Sequence, residues 1–159
     1  MFLKIAGAFI LLLSSAGVSF ELISMKKQRT KQLDELTELI RHIKSNIDCF
    51  MTPVNDILTN YTSPALEECG FAEIMRKSGL RCALESGKLY LDGAEIKLLF
   101  DFSESLGIGY KDEEIRLCDY YIEKLTSASL KEKEKMEKNR NMYKYIPVLC
   151  ALSLILTVI

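Results

Sequence analysis

One histidine, five cysteines and 22 carboxylates are the groups in this 159-residue chain with the chemistry to act as base, nucleophile or ligand. His42 has no second histidine or nearby cysteine to share a metal, and it lies beside an apolar stripe, which reads as a surface position. Cys49, Cys69, Cys82, Cys118 and Cys150 are odd in number and form no CxxC pair. They fit a reducing compartment, where cysteine is a small buried hydrophobe rather than half of a disulfide framework. Gly107-Ile108-Gly109 falls at a helix end rather than after a strand, so it reads as a turn and not as a phosphate cradle. Neither GxxxxGK[ST] nor GxSxG occurs. The sequence marks out no catalytic, cofactor-binding or metal residue. It predicts a protein that is not an enzyme and takes no cofactor and no small-molecule substrate. Two acidic groups, Asp112-Glu113-Glu114 and Asp34, Glu35 and Glu38, are candidates for binding a protein partner. Their plainer reading is as solvated helix faces.

The elements that position these groups are helices. Leu33, Leu36, Leu39, Ile40, Ile43, Ile47 and Phe50 recur in steps of three and four, which predicts one apolar stripe on a helix over 28–50. Thr52-Pro53 and Ser63-Pro64 each read as a cap followed by proline at a first helical position. The helices behind them carry Val54, Ile57, Leu58 and Tyr61, then Leu66, Phe71, Ile74 and Met75. Gly79 and Gly87 are stop or turn signals, and Leu89-Tyr90-Leu91 is a connector without a partner strand. Asp92 and Glu95 have capping-box spacing ahead of Ile96, Leu99, Phe100, Phe102 and Leu106. A last helix begins near Asp112 with Ile115, Cys118, Ile122 and Leu125, and runs into a charged stalk over 131–140.

The two ends differ from this middle. Residues 5–20 carry no charge, and a helix over 2–20 is about 28 Å long, close to the hydrocarbon thickness of a bilayer. Residues 145–159 are also uncharged; they are short for a full span, and Met142, Tyr143 and a snorkelling Lys144 can extend them. Lys26, Lys27, Arg29 and Lys31 follow the first run, and a stretch that is basic on balance, 131–144, precedes the second. Basic flanks on both inner sides predict a middle on the cytosolic face. Between them, residues 32–130 hold 18 acidic and 10 basic side chains, a poor partner for nucleic acid. The expected architecture is all-α: an N-terminal transmembrane anchor over 1–24, a cytosolic helical bundle with its stalk over 25–141, and a C-terminal transmembrane segment over 142–159. The competing reading makes the first run a cleaved signal peptide, with Ser14-Ser15-Ala16 as a weak cleavage site, and the rest a secreted or surface-exposed binding module.

Several segments in order resemble the stage III sporulation protein AB family of endospore-forming bacteria. They are the apolar anchor ending in a basic cluster; Ile47-Asp48-Cys49-Phe50-Met51-Thr52-Pro53-Val54; Leu98-Leu99-Phe100-Asp101-Phe102-Ser103-Glu104-Ser105-Leu106-Gly107; and Asn141-Met142-Tyr143-Lys144 leading into the apolar tail. The aspartate that follows the Leu-Gly turn comes later here, at Asp112, than is usual in that family. Members look like the inner-membrane platform proteins of type II secretion and type IV pilus systems. The resemblance implies a sporulation platform in a channel complex between mother cell and forespore, in the mother-cell membrane around the forespore. The partners it implies are a secretion-type ATPase similar to stage III sporulation protein AA and the other proteins of that complex.

Overall fold

The computed structural model describes the backbone over residues 2–50 and 52–158 and side chains over 24–50 and 52–138. It is helical as expected: α1 (Phe2–Phe50), α2 (Val54–Asn60), α3 (Pro64–Glu68), α4 (Phe71–Ser86), α5 (Gly93–Ser105) and α6 (Lys111–Val158). No strand occurs among the described residues, and 89–91 is a connector. The chain divides into two compact units, one of residues 28–131 and the other of 1–27 with 132–159. In the second unit most of the described side chains are exposed, and Lys135 pairs with Glu132 at 2.9 Å. The apolar runs at the two ends lie outside the residues whose side chains are described. Among the described residues, no helix is long and apolar enough to cross a membrane.

The unit of residues 28–131 is built on the α1 stripe. Leu33, Leu36, Leu39, Ile40, Ile43 and Ile47 are all buried. Together with Leu66, Phe71, Met75, Leu99, Phe102, Cys118 and Leu125 they form one core. Burial of this apolar surface, at about 25 cal/mol per Å², is the main force holding the helices together. Three polar ties running from one end to the other set α1 against α6. Ser129 Oγ donates to Asp34 (2.6 Å), Lys44 meets Asp119 (2.6 Å), and Lys111 Nζ lies 3.1 Å from Asp48 Oδ1. As the α1 partner advances from 34 to 48 the α6 partner retreats from 129 to 111, so within this unit the two helices run antiparallel.

The short helices show where local signals held and where tertiary contacts overrode them. The capping box at α5 forms, with the Asp92 N–H donating to Glu95 Oε2 at 3.0 Å. Proline does occupy the first turn of α3, but the Ser63 hydroxyl does not cap it; that buried side chain donates to Glu35 Oε2 on α1 at 2.6 Å. At α2 the cap is Pro53, one residue later than Thr52-Pro53 suggested. The helix expected to run on from Pro64 breaks at Gly70, whose φ of +74° is a left-handed conformation open to glycine at little steric cost. Gly79 breaks α4 with a kink, its backbone left-handed at φ +86°, and Gly87 ends the helix, so both stop or turn signals stand. Gln32, fully buried on α1, secures the connector: its Oε1 accepts the Tyr90 N–H at 2.7 Å.

Candidate partner-docking surface

The α5–α6 turn is held from beneath by a buried carboxylate. Glu114 sits one helical turn before Cys118 on the stripe Glu114, Cys118, Tyr121, Leu125, so it faces inward at the head of α6. Its Oε1 accepts the N–H of Gly107 (3.0 Å) and of Gly109 (2.8 Å). Its other oxygen is buried without a hydrogen-bond partner. Gly107 has φ +85°, and a side chain there would be strained. Glu113 accepts the Tyr110 N–H at 3.1 Å, satisfying one of the free amides at the start of α6. The turn therefore has a fixed shape, and it lifts Ile108 and Tyr110 into solvent, 80% and 85% exposed.

The end of α1 and the start of α2 lie beside this turn. Lys111 is tied to the Asp48 carbonyl and carboxylate, and a Cβ on Gly107 would stand 3.7 Å from Val54 Cγ2. Phe50, two residues past Asp48, is 75% exposed. The stripe expectation placed Phe50 in the core; the structure corrects this, because the core-facing stripe ends at Ile47. Ile108 was legible only as part of a turn, and Tyr110 carried no reading of its own. The signal for them was a stretch from Leu106 to Tyr110 made of glycines and large apolar or aromatic side chains, where turns are ordinarily polar.

The acids singled out from the sequence are mostly engaged internally. Glu114 and Glu113 hold the turn, Asp34 accepts Ser129, Glu35 accepts Ser63, and Glu38 pairs with Arg41 at 3.2 Å. Asp112 is exposed. His42 is exposed as expected, its ring 5.2 Å from that of Tyr61. Burial, with Glu35 and then Glu38 nearby, pushes the Tyr61 hydroxyl up to about 12. Burial likewise pushes the Cys118 thiol up to about 11, with Glu114 and Asp119 adding to it, so this cysteine is an unreactive core group. Cys49, Cys69, Cys82 and Cys118 are free thiols; Cys150 lies outside the residues whose side chains are described. A shallow cleft lined by Arg41, Lys44, Asp48, Cys49, Asp119 and Ile122 is crossed by the Lys44–Asp119 ion pair. Among the described residues no three His, Cys, Asp or Glu side chains converge as a metal site.

A family sequence model for stage III sporulation protein AB matches residues 4–159, nearly the whole chain. The chain belongs to the stage III sporulation protein AB family. That match takes in both apolar runs and the segments between them, and includes the Leu-Gly turn that Glu114 grips. No curated protein sequence and no solved structure matches the chain. Membership in the stage III sporulation protein AB family gives this chain a role related to sporulation.

Proposed function

We propose that this chain is a membrane platform in a mother cell–forespore channel complex, docking a cytosolic secretion-type ATPase to the membrane components of the assembly. The observation that carries the reading is the two-ended layout of residues 28–131. The chain enters and leaves this unit at one end, where Asp34 meets Ser129. The exposed Phe50, Ile108 and Tyr110 lie at the other. Twenty-one residues separate Arg29 from Phe50, so at 1.5 Å per residue the two ends are about 30 Å apart.

The apolar runs at residues 2–20 and 145–159 attach by sequence to the first of these ends, each through a basic flank. Leaving such runs in water is costly, while lysines and arginines beside a span keep to the cytosolic face of the mother-cell membrane around the forespore. On this reading α1 and α6 are struts, and movement of the ATPase at one end reaches membrane partners through the other. The tag-purified full chain, extracted in detergent from membranes of sporulating cells, tests this. Recovery of the secretion-type ATPase together with a membrane component of the complex is the expected result; recovery of neither contradicts it.

A further inference from the structure

We infer that Phe50, Ile108 and Tyr110 form the epitope that docks the secretion-type ATPase, onto an ATPase surface with an apolar depression ringed by lysine and arginine. This rests on the platform reading above. Single exposed apolar side chains are ordinary on protein surfaces, but grouped ones mark interaction sites. The large hydrophobic side chains exposed among the described residues are Met25, Phe50, Tyr90, Ile108, Tyr110, Tyr120 and Leu130. The three most exposed, at 75–85%, are Phe50, Ile108 and Tyr110; the other four reach at most 54%. These three also belong to the two segments joined by the Lys111–Asp48 tie and by the approach of Val54 to Gly107.

The epitope is preorganised. Glu114 and Glu113 fix the backbone that carries Ile108 and Tyr110, so little conformational freedom remains to be lost on docking. Its surroundings are acidic. Asp112 and Glu113 follow Tyr110, and Asp56 stands two residues past Val54; all three are exposed. Lys111 beside them is already neutralised by Asp48, and Arg116, exposed one turn further along α6, offsets one of the three charges, so the tip stays net acidic. Such a tip repels anionic lipid headgroups, and two copies meeting tip to tip would repel each other. A basic rim around an apolar depression is what it attracts.

The test is binding of the purified ATPase to the full-length chain held in detergent micelles, read by biolayer interferometry. Phe50→Ser, Ile108→Ser and Tyr110→Ser each weaken binding about tenfold or more. Asp112→Lys slows association and flattens its dependence on salt. Tyr120→Ser, an equally apolar exposed site on the flank of α6, leaves affinity unchanged. Because the tip side chains are exposed, thermal unfolding of the tip variants matches that of the parent; Tyr120→Ser, whose ring meets that of Tyr121 and the Lys124 ammonium, lowers it slightly without touching affinity. ATPase binding that survives every tip substitution overturns the epitope and leaves the platform reading standing. A parent chain that does not bind the ATPase at all overturns both. Tip substitutions that change the chain's own mass by light scattering but not its ATPase affinity assign the tip to a second copy, which also overturns the inference, as does an equal loss in Tyr120→Ser.

Discussion

Arg29 offers the sharpest test of how the bundle is held. Its guanidinium reaches from α1 to the start of α5, where it meets Asp92 and stands 2.8 Å from Glu95 Oε1. The two carboxylates are not equivalent: the Glu95 side chain is 10% exposed and that of Asp92 65%. Arg29→Met keeps most of the packed stem and removes the charge. Asp92 then returns to water at little cost, as exposed pairs contribute about 0–1 kcal/mol. Glu95 cannot do so, and it keeps only the Asp92 N–H as a partner. Breaking a buried pair costs about 3–5 kcal/mol, and the surviving hydrogen bond lowers this to about 2–3 kcal/mol. For a unit of this size that is a fall in Tm of about 10–20 °C. Circular dichroism melts of the full chain in detergent measure it. Adding Glu95→Gln, which removes the stranded charge but keeps an acceptor for the cap, restores about 1–2 kcal/mol. Lys77→Met, which breaks the fully exposed Lys77–Glu73 pair, is the control and leaves Tm essentially unchanged. If Arg29→Met moves Tm no further than Lys77→Met, or if the double variant loses the full sum of the two single losses, the tether argument is wrong.

Two further outcomes follow from buried groups. Cys118 and Tyr61 hold their protons in the folded state up to about 11 and about 12, against 9.0 and 10.0 in an unperturbed chain. The unfolded chain sheds these protons first, so stability is intact below about pH 9 and falls as pH rises toward 12. Urea midpoints measured across that range show the decline, and Cys118→Ala flattens its lower part, between pH 9 and 11. Glu114→Ala frees the amides of Gly107 and Gly109, which lie close enough to water to be rehydrated, and costs about 1–2 kcal/mol. Hydrogen exchange shows it as lost protection at those two residues, with little change at Leu99 or Phe102.

What was legible in the sequence was what local spacing encodes. The α1 stripe through Ile47 and the Asp92–Glu95 capping box depend on residues a few positions apart, and both stand in the structure. The burial of Glu114 also had a local trace, its place one turn before Cys118, but its carboxylate matched the expectation of an acid at a helix start, which hid the inward role. Asp34 and Glu35 read as solvated because their partners Ser129 and Ser63 are distant in the chain, and periodicity carries no information about such pairs. Phe50 continued the spacing of the stripe past Ile47, the last buried residue of α1, and nothing in α1 itself marks that limit. The exposed tip was for this reason hidden in the sequence: Phe50 looked like core, Ile108 looked like part of a turn, and Tyr110 carried no signal of its own.

The proposed platform function requires the unit of residues 28–131 to lie on the cytosolic face, attached to the bilayer through both apolar runs. Cys49 is an exposed thiol of that unit and serves as a natural reporter. A membrane-impermeant maleimide, followed by peptide mapping, reads its side of the membrane directly. With the chain expressed in non-sporulating cells, where it enters the cell membrane, Cys49 is expected to stay unlabelled in intact cells and to be labelled in inside-out membrane vesicles, with the chain retained in the membrane fraction. Labelling of Cys49 from outside intact cells, or a full-length chain that remains in the aqueous fraction without detergent, would contradict it.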